Sequence, residues 1–128
     1  MSELKHCVLI VDDEFLIAQG LSMQVEEMGM TVCATAASAD EAIFQAQAHR
    51  PRVVLMDMRL QGDKDGVDAA LVINATVGSK MIFVTGSSEP ETLARIQTDH
   101  PSGVLIKPVS DRQLRTAIEA AIGEGVGA

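Results

Sequence analysis

The sequence predicts an α/β fold built as a doubly wound, parallel, five-stranded sheet with helices on both faces. Three observations predict it. Four short apolar runs are continuous rather than alternating, as in strands buried on both sides. The segments between them change to helical periodicity. The two patterns alternate five times, which calls for parallel strands joined by right-handed crossovers.

The elements follow in order. Cys7-Val8-Leu9-Ile10-Val11 is the first strand, and Ile17, Leu21, Val25 and Met28 form the inner face of the first helix. Thr31-Val32-Cys33-Ala34-Thr35 is weaker and alternates, which suits an edge strand. Ala39, Ala42, Ile43 and Ala46 face the sheet from the second helix. Val53-Val54-Leu55-Met56 is the third strand, followed by a helix whose inner face is Val67, Ala70 and Leu71. Met81-Ile82-Phe83-Val84 is the fourth strand. The helix after it, about residues 89–99, has only Leu93 and Ile96 as large apolar anchors and is expected to be the most exposed and mobile. Val104-Leu105-Ile106 is the fifth strand, and Leu114, Ala117, Ile118, Ala121 and Ile122 line the last helix.

Helix starts are marked by Ser38-x-x-Glu41, Ser88-x-x-Glu91 and Ser110-x-x-Gln113, each a capping box in which two side chains satisfy free N–H groups. Pro90 agrees with the second, and Gly123 stops the last helix. The leading strand order is 2-1-3-4-5, the flavodoxin-like arrangement, with a working site at the carboxyl ends of strands 1 and 3.

Composition narrows the function. The 128 residues suit one domain, with a core over about 5–123 and a short tail at 124–128. Hydrophobic residues make up 47% of the chain, enough to close a core, and with three Phe and no Tyr or Trp that core is aliphatic. No apolar run reaches the roughly 20 residues of a membrane span, and no signal peptide is apparent. The expectation is a soluble cytoplasmic protein without a membrane partner. A net charge of -8 and the lack of any Lys/Arg cluster argue against nucleic acid. Cys7 and Cys33 read as buried free thiols.

The polar residues at the strand ends carry the chemistry. Strand 1 ends in Asp12-Asp13-Glu14, strand 3 in Asp57, strand 4 in Thr85-Gly86-Ser87 and strand 5 in Lys107-Pro108. All fall on one sheet edge. Taken singly, each has an ordinary explanation: acids favour helix N-termini, and Asp57 alone could cap the third helix. Together they form a site. Three close carboxylates repel and raise one another's pKa, and a divalent cation relieves this. Hard oxygen donors suit Mg2+ (or Mn2+). A carboxylate, a metal, a Lys and a hydroxyl are the parts needed to transfer a phosphoryl group to an aspartate.

On these residues the chain resembles the receiver domains of response regulators, the CheY-like proteins, over about residues 5–123. The matching motifs are Leu9-Ile10-Val11-Asp12-Asp13-Glu14, Val53-Val54-Leu55-Met56-Asp57, Phe83-Val84-Thr85-Gly86 and Leu105-Ile106-Lys107-Pro108. The resemblance implies that Asp57 is the phosphoacceptor and that Asp12, Asp13, Asp57 and the backbone carbonyl of Arg59 hold the metal. It implies that Thr85 binds the phosphoryl group and repositions on activation, and that Lys107 pairs with a phosphoryl oxygen. It also implies a cis Lys107-Pro108 peptide and a phosphohistidine donor on a sensor histidine kinase. Such a protein is a signalling phosphoacceptor rather than an enzyme acting on an external substrate.

Three departures accompany the likeness. Val104 stands where the family usually has the aromatic that couples to the Thr, and Val109 stands where it usually has Phe. The loop Arg59–Gly66 lacks the usual Pro and is one residue longer than the common form; with the Thr-Gly after strand 4 it resembles receivers found with alphaproteobacterial-type sensor kinases. Only Gly123-Glu124-Gly125-Val126-Gly127-Ala128 closes the chain. The expectation is a single-domain response regulator that acts on a downstream protein, or as a phosphate sink or relay through a phosphotransfer protein.

Three rivals are weaker. A dehalogenase-type phosphatase needs an acid two residues after its nucleophile, where this chain has Arg59. A pseudo-receiver serving only as an interaction module is at odds with intact Asp57, Thr85 and Lys107. A flavin binder would want a stacking Tyr or Trp and a phosphate-cradling loop after strand 1.

Overall fold

A computed structural model describes residues 3–123. Five strands and five helices alternate: β1 Lys5–Val11, α1 Phe15–Glu27, β2 Thr31–Ala36, α2 Ala39–His49, β3 Pro51–Met56, α3 Gly66–Thr76, β4 Lys80–Thr85, α4 Pro90–Gln97, β5 Gly103–Ile106 and α5 Asp111–Gly123. The sheet order is β2-β1-β3-β4-β5, all parallel, as the alternation predicts.

The continuous apolar runs have the cause assigned to them. Each central strand sends alternate side chains to opposite faces. Leu9, Val11, Val54, Met56, Met81 and Phe83 join one core with α2, α3 and Ile96 of α4. Val8, Ile10, Val53, Leu55, Ile82 and Val84 join the other with α1 and α5. The core is aliphatic apart from Phe83, because Phe15 and Phe44 lie on the surface at 75% and 67% exposure.

The expected helix faces are found with one exception. Leu71 is 45% exposed, and the inner face of α3 is instead Val67, Ala69, Ala70 and Ile73. The buried stripe of α3 follows the spacing Val67, Ala70, Ile73, and Leu71, one position on from Ala70, turns outward. Of the two thiols, Cys7 is buried and Cys33 is only half-buried. Cys33 falls where the β1–β2 register slips, between the pairs Val8↔Val32 and Leu9↔Ala34. Burial, and then the neighbouring Cys7, push its thiol up to about 12, which disfavours the thiolate at neutral pH.

Two of the three capping signals form. The Ser38 hydroxyl accepts from Glu41 N–H at 3.1 Å, while Glu41 reaches past it to Ala37 N–H at 2.7 Å. Ser110 and Gln113 make the full reciprocal box. The Ser88 box does not form. Pro90 occupies the first turn, so the extended residue before it, Glu89, becomes the N-cap and Ser88 falls outside the helix. A box with no serine starts α3 instead: Asp68 N–H donates to Asp65 Oδ1 at 3.0 Å and Asp65 N–H to Asp68 Oδ2 at 2.9 Å.

Helix α4 is the most exposed, as its sequence suggests. Ile96 is its one buried residue, against three to five on each other helix. It is also shorter than the expected 89–99. No helix among the described residues is long and apolar enough to cross a membrane.

Candidate phosphoacceptor site

β1 and β3 lie side by side at the centre of the sheet, and their ends stay in register. Asp57 N–H donates to the Val11 carbonyl at 2.9 Å, and Asp12 N–H to the Ala36 carbonyl at 3.0 Å. The ladder thus continues past both strands and fixes where Asp12 and Asp57 leave the sheet. Carboxylate oxygens of Asp12, Asp13 and Asp57 all lie within 4.8 Å of one another. Asp12 and Asp57 are buried and Asp13 is exposed. Asp12 Oδ1 also accepts from Glu14 N–H at 2.9 Å, which orients it at the start of α1.

Lys107 enters from the end of β5. Its Nζ donates to Asp12 Oδ2 at 2.8 Å and lies 3.3 Å from Asp57 Oδ2. The Lys107-Pro108 peptide is cis, as the resemblance implies. Lys107 N–H donates to the Thr85 carbonyl at 2.8 Å. Thr85 is buried, and its hydroxyl accepts from Ser87 N–H at 3.2 Å.

The charges do not balance. Burial, and then the neighbouring Asp12 charge, raise the Asp57 carboxyl to about 6 despite the opposing pull of Lys107. Burial also works against the Lys107 charge, but the hydrogen bond to Asp12 and the charges of Asp57 and Asp12 outweigh it, so its pKa rises above the usual lysine value. One ammonium among three carboxylates leaves net negative charge facing a cavity of about 660 Å³. Asp13, Glu14, Asp57, Arg59, Thr85, Ser87 and Lys107 all line this cavity. Hard oxygens, an excess of negative charge and room for water are what a small divalent cation requires.

The acids, Thr85 and Lys107 singled out from the sequence therefore come to one place, and Val104 does not. It pairs with Phe83 across β4 and β5 and packs into the core beneath α4. The side chain at this position is therefore short and branched.

The loop from Met58 to Asp65 is pinned along its length. Gly66 N–H donates to the Met58 carbonyl at 2.8 Å, and Gln61 N–H to the Ala37 carbonyl at 3.0 Å. Lys64 Nζ reaches Asp40 at 2.9 Å. Gly66 is required by contact: a Cβ there would overlap the Asp57 carbonyl oxygen. The sequence reading missed one charged group here. Arg95 of α4 grips Asp65 and Asp68 at the head of α3. The Asp-x-x-Asp spacing could have revealed the cap, but nothing local reveals the Arg.

Fold and site together define an acidic cleft, with one lysine, at the switch point of a doubly wound sheet. The chain belongs to the response regulator receiver domain family, whose model matches residues 8–119. It is similar to the transcriptional regulatory protein PdtaR of Mycobacterium tuberculosis, 32% identical over 115 residues that cover 90% of this chain and 56% of PdtaR. It is also similar to the phyllosphere-induced regulator PhyR of Methylorubrum extorquens, 29% identical over 90% of this chain and 43% of PhyR. The chain spans about half the length of the curated relatives it matches. Among solved structures it resembles the signal receiver domain of a modulated diguanylate cyclase from Desulfovibrio desulfuricans G20. That likeness has 38% identity and a TM-score of 0.86, over 91% of this chain and 93% of that one. A CheY-like receiver domain protein from Methanospirillum hungatei JF-1 gives 28% identity and a TM-score of 0.84, over 95% and 96%.

Proposed function

We propose that this domain takes a phosphoryl group from the phosphohistidine of a sensor histidine kinase onto Asp57, and that the modified form controls a downstream protein or passes the group along a relay. The observation that carries this reading is the placement of Asp57: a buried carboxylate, beside two more acids and Lys107, opening onto a cavity large enough for a phosphoryl group.

In this mechanism an Asp57 oxygen attacks phosphorus in line. The P–N bond to the kinase histidine breaks, and the imidazole leaves with the electron pair and takes up a proton. Lys107 loosens from Asp57 and pairs with a phosphoryl oxygen, keeping its hold on Asp12. The Thr85 hydroxyl turns from Ser87 N–H toward another phosphoryl oxygen. Asp12, Asp13, Asp57 and the Arg59 carbonyl would hold Mg2+ or Mn2+, which when bound offsets carboxylate repulsion and withdraws charge from the phosphoryl oxygens. Glu14, Arg59 and Ser87 edge the cavity and govern how water reaches the product. The domain acts in the cytoplasm, where the kinase presents its histidine.

The test is labelling by a small phosphodonor with Mg2+. The wild-type chain takes about one phosphoryl group, and Asp57→Asn takes none at that site. Equal labelling of the variant removes the assignment.

A further inference from the structure

Arg95 sits on α4, far in sequence from the head of α3. Its Nε donates to Asp65 Oδ2 at 2.9 Å, and its Nη2 donates to Asp65 Oδ1 and Asp68 Oδ1, both at 3.0 Å. The two acids it grips are the two halves of the capping box that starts α3. One residue further on, Gly66 donates its N–H to the Met58 carbonyl and packs against the Asp57 carbonyl. The chain of contacts therefore runs from α4 through Arg95, Asp65 and Gly66 to the backbone that presents Asp57, Met58 and Arg59.

An exposed ion pair by itself contributes little, because water screens it. This one differs in geometry and in place. The Arg fork is bidentate on Asp65 and also reaches Asp68, so planar geometry as well as charge is satisfied. Burial alone would raise the Asp65 carboxyl, but the hydrogen bonds from Arg95 and the Asp68 N–H more than offset it, so Asp65 stays ionised. The clamp also joins two walls of one cavity. Arg59 lies in the loop that α3 closes, and Ser87 and Glu89 lie in the loop that α4 closes. Apart from Ile96, α4 has no buried side chain to hold it.

We infer that Arg95 is a positioning residue: its clamp on Asp65 and Asp68 fixes the loop that presents the Arg59 carbonyl and ties that loop to α4. Val104 offers no large side chain to carry a signal from Thr85 to α4, and the clamp supplies another route. The coupling is reciprocal: whatever orders the loop at Asp57 orders α4 to the same degree. This inference rests on the phosphoacceptor reading for its metal arm and on geometry alone for its other arm.

The experiment uses the whole chain with wild type, Arg95→Ala, Arg95→Lys and Asp68→Asn. Backbone amide NMR follows Mg2+ titration, since the chain has no Trp or Tyr for emission. Arg95→Ala weakens Mg2+ binding about threefold or more, Asp68→Asn does so less, and Arg95→Lys recovers part of the loss. Without metal, hydrogen exchange at Gly66 speeds up in Arg95→Ala. With metal, slowing of exchange over residues 90–97 occurs in wild type and disappears in Arg95→Ala. The inference is overturned if Arg95→Ala lowers thermal stability while Mg2+ affinity and both exchange responses match wild type. If wild type shows no Mg2+ shifts around Asp12, Asp13 and Asp57, the metal reading fails. Gly66 exchange then decides the clamp alone: faster exchange in Arg95→Ala keeps it, and unchanged exchange ends it.

Discussion

The centre of the sheet and the α4–β5 side of the molecule are built to different standards. In β1 and β3, Val8, Leu9, Ile10, Val53, Val54, Leu55 and Met56 are all at most 1% exposed. In β5 no residue is fully buried, and α4 buries only Ile96. Both regions touch the same cavity. Under the proposed function the difference separates two needs: transfer to Asp57 would require atoms held in place, whereas reporting it would require an element that moves at little cost. Three carboxylates stay together because buried backbone and the Lys107 ammonium hold them against their repulsion. The opposite wall hangs from one isoleucine, one arginine and the short strand that ends just before Lys107.

A single methyl group separates the two regions most severely. Gly66→Ala places a Cβ against the Asp57 carbonyl and is expected to cost about 3 kcal/mol or more, since backbone cannot give way as a side chain does. The same change in the looser wall, Gly86→Ala, meets nothing within 4 Å and stays within about 0.5 kcal/mol of wild type. Urea denaturation of the two variants measures both, and equal costs would show that the two walls are alike.

A smaller effect sharpens the picture of α4. Ile96→Ala removes its sole buried anchor and is expected to cost about 2–3 kcal/mol. Amide protection over residues 90–97 falls to nearly nothing, while β1 and β3 keep measurable protection in hydrogen exchange. Uniform loss across the sheet would mean that α4 is not the weaker region.

The smallest effect tests the strain at the centre. Asp57 titrates near 6 in the folded chain, above its ordinary value near 3.8. The folded state therefore binds more protons between about pH 4 and 6, and the metal-free protein loses stability as pH rises through that window. Asp57→Asn removes this penalty. At pH 7 without metal the variant is expected to be more stable by about 1 kcal/mol, after allowing for screening by the open cavity, with no advantage at pH 4. Mg2+ at ten times its dissociation constant adds about 1.4 kcal/mol to wild type and reverses the order. Thermal melts at the two pH values, with and without Mg2+, read all four quantities.

Most of the fold was legible because short-range patterns carry it. Continuous apolar runs located the central strands, and the crossover rule then left few sheet orders to choose among. The acids at the strand ends were legible for the same reason: the sheet edge collects whatever ends its strands. The misreadings were local choices settled by packing. Periodicity alone puts Leu71 inside, yet the buried stripe of α3 runs through Val67, Ala70 and Ile73 and leaves Leu71 outside. Ser88 had the right spacing for a cap, yet Pro90 moved the start of α4 by one residue.

By itself the sequence determined the alternation of elements, the two apolar faces of the sheet and the set of residues at its working edge, because each depends on spacing along a few turns or one strand. Tertiary structure alone decided the charge state of Asp57, which depends on how far Asp12 and Lys107 lie from it and how much water remains. It alone decided that Arg95 meets Asp65 and Asp68, about thirty residues away. Coulomb energies and close contacts depend on distance in space, and no spacing along the chain encodes that.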